Sequence, residues 1–144
     1  MEKTATILLA EDDENDVFLV RRALQKAGLG HLLMHVANGE EAISYLSGKE
    51  PYADRSKNPL PGLLLLDLKM PVATGFDVLA WLRTRSDFKQ LPVIILSGSD
   101  RDSDKQEASK AGAADYQVKP IAFDELVKIM QALDARWLAQ AGKP

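Results

Sequence analysis

LLLLDLKMP, residues Leu63 to Pro71, is the best hydrophobic segment of the chain, and it stops at a carboxylate. Four successive leucines leave no polar face, so a strand built from them is buried on both sides, as strands are inside a parallel sheet. Asp67 then stands where that strand ends. A rigid, buried strand is a good mount for a reactive side chain, and Pro71 soon afterwards marks the segment as a turn rather than a continuing element.

Working outward, short β-type runs alternate with longer segments at helical spacing, which is the pattern of a parallel sheet covered by helices. The strands are expected over Thr6 to Ala10, Leu32 to Val36, Leu63 to Leu66, Val93 to Leu96 and Tyr116 to Val118. Val17, Val20, Leu24 and Ala27 form one helical stripe closed by Gly28; Leu126, Ile129, Met130, Leu133 and Trp137 form another. Asn38 with Glu41 resembles a capping box for the second helix, and Gly48 suits its exit. The spacing places a third helix over Phe76 to Arg85. A fourth, rich in small and polar residues, runs through Lys105 to Lys110 and ends at Gly112; it should be the least firmly packed. Lys49 to Gly62 reads as one long polar loop inserted into a single domain spanning residues 1–144, with a core over about 6–138.

The totals narrow the function. With 144 residues, 46% of them hydrophobic, the chain has material for one compact core and hardly more. Eighteen basic residues against 21 acidic ones leave a net charge of -3, which offers no general attraction to nucleic acid or anionic lipid. Cysteine is absent, which excludes disulfides, thiol catalysis and thiolate metal sites. MEKTATILLAEDD is too short an apolar stretch for a signal sequence, and no run reaches membrane-spanning length. These features lead to the expectation of a cytoplasmic protein.

In open parallel sheets, ligands bind at the carboxyl ends of the strands. After the first strand come Glu11, Asp12 and Asp13; after the third, Asp67; after the fourth, Ser97, Gly98 and Ser99; after the fifth, Lys119 and Pro120. Carboxylates about 4 Å apart repel by roughly 4 kcal/mol at an effective dielectric near 20, so a converging acid cluster needs a cation. With oxygen ligands only, Mg²⁺ is the natural choice. Simpler readings exist for each residue taken alone. Asp13 is read as the N-cap of the first helix; Glu11 and Asp12 could equally be acids facing that helix's dipole; Ser97 could be a loop serine and Lys119 a solvated lysine. One shared site accounts for all of them together. His31 and His35 lack a third ligand and are assigned to packing or solvent. No GxxxxGK[ST], GxGxxG or GxSxG segment exists, which removes the usual nucleotide and serine-hydrolase readings.

ILLAEDD, LLLLDLKMP with Gly75 eight residues beyond Asp67, VIILSGSD and ADYQVKPI, in this order and spacing, resemble the receiver domains of two-component response regulators from Ile7 to about Leu133. The resemblance implies an α/β, flavodoxin-like, doubly wound five-stranded parallel sheet of order 2-1-3-4-5 with five helices. It implies that Asp67 accepts a phosphoryl group from a histidine kinase, that Glu11, Asp12, Asp67 and the Lys69 carbonyl hold Mg²⁺, and that Ser97 and Lys119 bind the phosphoryl oxygens. Tyr116 would turn with Ser97 as a switch, and Lys119–Pro120 would be a cis peptide. Glu11 departs from the frequent aspartate and Ser97 from the frequent threonine, each keeping the chemistry. Lys69 and Ser99 flank the site.

The insertion, and the lack of an output domain, are similar to stand-alone regulators paired with phytochrome-type or hybrid kinases. By that resemblance the protein signals through phosphorylation-dependent protein contact or phosphorelay, and it is no enzyme toward external substrates. Tyr116, Ile121, Phe123, Trp137 and Leu138 would offer a face for a homodimer or a kinase. Two alternatives remain: an aspartyl-phosphate phosphohydrolase, disfavoured by Lys69 where a second aspartate is wanted, and a receiver-like module that only binds partners.

Overall fold

The computed structural model describes residues 5–120 and 122–138. Its strands are β1 (Thr6–Ala10), β2 (Leu32–Val36), β3 (Leu63–Leu66), β4 (Val93–Ser97) and β5 (Asp115–Val118), and its helices are α1 (Glu14–Lys26), α2 (Gly39–Ser47), α3 (Gly75–Arg83), α4 (Asp102–Lys110) and α5 (Phe123–Leu133). The five strands are all parallel, in the order β2-β1-β3-β4-β5. This is the doubly wound, flavodoxin-like arrangement that the resemblance implied.

Period-two alternation along the strands divides the core. Ile7, Leu9, Leu63, Leu65, Ile94 and Leu96 face one side of the sheet, where Val17, Val20 and Leu24 of α1 and Leu126, Met130 and Leu133 of α5 cover them. Leu8, Ala10, Leu64, Leu66, Val93 and Ile95 face the other, under Ala42, Tyr45 and Leu46 of α2, Val78 and Leu79 of α3 and Ala108 of α4. All four leucines of β3 are fully buried, each contributing about 1.5–3 kcal/mol relative to an exposed side chain. The strand that carries Asp67 is therefore the best-buried segment of the sheet.

Local chemistry sets the helix ends. Asp13 caps α1, its carboxylate accepting from the Asn15 and Asp16 N–H groups, as read from the sequence. Asn38 caps α2 by accepting from Glu41 N–H, while the Glu41 carboxylate accepts from Ala37 N–H, one residue before the usual partner of a capping box. Gly48 closes α2 in the left-handed region at φ 78°. Thr74 and Asp77 form a full capping box on α3. The fourth helix starts three residues earlier than the spacing predicted, because Asp102 and Asp104 occupy its first turn, where the helix dipole favours acids. The last helical stripe breaks at Leu133 into a wide turn, Asp134–Leu138. Leu138 is buried in the core instead of adding surface.

The inserted loop is organised around Arg55. Its guanidinium donates to the carbonyls of Tyr45 (2.8 Å), Leu46 (2.9 Å) and Asn58 (3.1 Å), which satisfies the exposed end of α2 and fixes the loop to it. At the opposite pole from Asp67, His31 Nδ1 accepts from Ala5 N–H at 3.0 Å and Nε2 donates to Asp134 Oδ1 at 2.6 Å. His35 Nε2 donates to the Glu11 carbonyl at 2.7 Å. Both histidines are thus structural.

One backbone expectation fails. Among the described residues the cis peptide bond is Glu50–Pro51, and Lys119–Pro120 is not cis. The trans form is intrinsically favoured even before proline, and Lys119 is already fixed by its own N–H, which donates to the Ser97 carbonyl at 2.7 Å.

Candidate functional site

The parallel register delivers the polar residues to one edge of the sheet. Asp67 N–H donates to the Ala10 carbonyl at 3.1 Å and Glu11 N–H to the Val36 carbonyl at 3.0 Å, so both acids are held by the ends of neighbouring strands. Glu11 and Asp67 are buried and Asp12 is exposed. One carboxylate oxygen from each of these three residues lies within 4.8 Å of the others, the only such group of acids, cysteines or histidines found among the described residues.

Lys119 closes the site from the end of β5. Its Nζ stands 2.6 Å from Glu11 Oε1, 2.9 Å from Asp16 Oδ2 and 3.2 Å from Asp67 Oδ2. Lys119 thus meets Asp67, with Glu11 and Asp12 at the same rim. Asp67 Oδ1 faces Lys69 N–H at 3.4 Å. Ser97 is buried at the end of β4, and its hydroxyl accepts from Ser99 N–H at 3.2 Å. Tyr116 is half-buried; its hydroxyl donates to the Ser99 carbonyl at 2.8 Å. Ser99 in turn donates from its own hydroxyl to Asp104 of α4.

The loop after β3 is clamped by two glycines. A Cβ on Gly75 would run into the Asp67 carbonyl oxygen and the Leu68 Cα, and one on Gly39 would run into the Ala73 carbonyl. Gly75 N–H donates to the Leu68 carbonyl at 3.0 Å and Gly39 N–H to the Ala73 carbonyl at 2.9 Å. Between them Ala73 N–H reaches back to the Pro71 carbonyl at 2.8 Å, making a three-residue turn centred on Val72, whose φ is 69°.

Electrostatically the site is a buried acid pair gathered around one ammonium. Burial pushes the Glu11 carboxyl from its ordinary 4.5 up to about 7, with Asp67 adding to the rise; the hydrogen bonds from Lys119 and Asp13 N–H pull against it. Burial alone would lower the Lys119 pKa, but the carboxylates of Glu11, Asp16 and Asp67 overcome it and hold the ammonium above its usual value. Three carboxylates and no nitrogen or sulfur ligand make a donor set suited to a hard divalent cation, so the residues fit Mg²⁺.

Asp16 is the site residue that sequence reading missed. It sits one position before the inward-facing Val17, in the first turn of α1. The Asp13 cap sets the phase of the helix and puts Asp16 in its first turn, but the contact with Lys119 joins segments 103 residues apart, for which periodicity carries no signal. Of the proposed outer face, Phe123 and Trp137 pack against the α1–α5 side of the core and Tyr116 against the other side. Ile121 lies outside the described residues.

The family model for the response regulator receiver domain matches residues 7–131. Response regulator Rcp1 of Synechocystis sp. is 30% identical over 138 residues, covering 96% of this chain and 92% of that protein. The Mn(2+)-bound form of Rcp1 superimposes with a TM-score of 0.83 at 30% identity, over 97% of this chain and 99% of that one. RPA3017, a response regulator in red light signaling of R. palustris, gives a TM-score of 0.89 at 33% identity, over 96% and 97% of the two chains. The phosphorylated cyanobacterial phytochrome response regulator RcpA gives 0.86 at 29%, over 98% of each. Sheet order, acid cluster and matched sequence agree: the chain belongs to the response regulator receiver domain family.

Proposed function

We propose that Asp67 accepts a phosphoryl group from the phosphohistidine of a sensor kinase, and that the chain signals in its phosphorylated state. The observation that carries this reading is the Lys119 ammonium shared between Asp67, at 3.2 Å, and Glu11, at 2.6 Å. A carboxylate oxygen attacks phosphorus, an O–P bond forms, and the N–P bond to the donor imidazole breaks. Lys119 supplies a compact positive charge where the phosphoryl oxygens arrive, and the buried Ser97 hydroxyl supplies a hydrogen bond. Glu11, Asp12 and Asp67, with the Lys69 carbonyl, would hold Mg²⁺, which would neutralise charge on the transferring group. The phosphorylated RcpA and the Mn(2+)-bound Rcp1 are relatives consistent with such chemistry.

Phosphorylation replaces one negative charge with nearly two and adds acceptor oxygens. Ser97 would turn to them and give up the bond it accepts from Ser99 N–H, and Tyr116, tied to the Ser99 carbonyl, would follow. Phytochrome-type kinases are the partners to which the resemblance to RcpA and RPA3017 points. A second copy or a downstream protein would then read the change at Tyr116, while Phe123 and Trp137 pack on the other side of the sheet.

Acetyl phosphate with Mg²⁺, followed by intact-mass measurement, tests the central step. One labile phosphate on the wild type, lost in Asp67→Asn, is expected. Continuous release of free phosphate over many turnovers would favour a hydrolase, and no adduct at all would favour a binding module.

A further inference from the structure

Lys119 has three N–H donors and three carboxylates around them, but the three are not equivalent. Glu11 and Asp67 are buried and belong to the cation-capable cluster. Asp16 belongs to neither category. It approaches from α1, its side chain is 30% exposed, and it is not one of the three clustered acids, yet it lies 2.9 Å from Nζ. Its hold on the ammonium is thus the one that does not depend on what Glu11 and Asp67 are engaged with. The lysine stem is long and 22% exposed, so without an anchor on the solvent side the head group has an open path outward.

We propose that Asp16 is a positioning residue, which holds the Lys119 ammonium at the rim of the acid cluster, within contact of Asp67, independently of the two inner carboxylates. The inference rests on the reading of Asp67 as phosphoacceptor for its consequence, though not for its geometry. Asp16 touches neither donor nor phosphoryl group. It acts by confining the amine that does.

The test has two arms, both comparing wild type with Asp16→Asn, Asp16→Glu and Glu14→Gln. Glu14 shares the first turn of α1 but lies outside the ion pairs of Lys119, so it reports any effect of first-turn charge on the helix itself. In the first arm, chelator-treated protein is reductively methylated with formaldehyde and cyanoborohydride, and the Lys119 peptide is weighed over time. Asp16→Asn should be modified about five- to tenfold faster, because one charge-assisted hydrogen bond is gone. Asp16→Glu should stay near the wild type, and Glu14→Gln should match it. Equal rates in wild type and Asp16→Asn overturn the proposal, as does a Glu14→Gln protein modified as fast as Asp16→Asn.

In the second arm, phosphorylation by acetyl phosphate at saturating Mg²⁺ should slow about fivefold in Asp16→Asn and recover in Asp16→Glu. A rate unchanged in Asp16→Asn, with Lys119 freed in the first arm, overturns the positioning role. A wild type that takes up no phosphoryl group sinks the reading of Asp67 instead, and is told apart because the methylation arm still reports who holds the amine.

Discussion

At Glu11 burial and pairing pull in opposite directions, and burial prevails: the carboxyl rises from 4.5 to about 7 although an ammonium lies 2.6 Å away. The folded, metal-free protein therefore binds this proton more tightly than the unfolded chain does. The stability so gained is complete below about pH 4.5 and is lost as pH rises to about 7. Melting curves in chelator should fall across that window, and Glu11→Gln should flatten the slope. Mg²⁺ should raise the melting temperature more at pH 8 than at pH 5, because binding must displace the proton at the lower pH. Val72 poses a different problem. A β-branched side chain at φ 69° is strained by about 1–2 kcal/mol, and at 75% exposure it has little packing to compensate. Val72→Gly removes the strain but adds backbone entropy to the unfolded chain. A net gain of about 0.5–1 kcal/mol in urea unfolding is expected.

Among the five helices, α4 is fastened least. Ala108 is its one buried residue, and Arg101 gives no side-chain cap. What holds its start is the Ser99 hydroxyl on Asp104, and Ser99 is also the partner of Ser97 and Tyr116. The weakest helix is thus hooked to the site residues by a single side chain, which is where a small local change is best converted into movement. Hydrogen exchange should show amides of Asp102–Lys110 protected at least about tenfold less than those of Glu14–Lys26, where four residues are buried. Equal protection in the two helices would remove α4 as the moving part. Its polar composition foretold the loose packing, but not the Ser99–Asp104 link, which depends on a loop conformation that periodicity does not encode.

For the whole molecule, the sheet was legible because the physics is repetitive. Leu63 to Leu66 can only be a strand covered twice, and the rule that ligands gather at carboxyl ends then brought Glu11, Asp12, Asp67 and Lys119 together without any knowledge of side-chain positions. Where contacts join distant segments with no periodic signal, the sequence was silent. Arg55 capping α2, Asp16 reaching Lys119 and His31 meeting Asp134 are all of this kind. The cis form at Lys119–Pro120 was implied by the family resemblance alone, and the bond instead keeps the generally favoured trans form. The His31 ring joins Ala5, at the head of β1, to Asp134, just beyond α5. The start of the first strand and the turn beyond the last helix are tied to one imidazole, at the end of the sheet opposite Asp67. Removing that ring would therefore loosen the first strand and the turn after the last helix together, while leaving the acid cluster at the far end of the sheet in place.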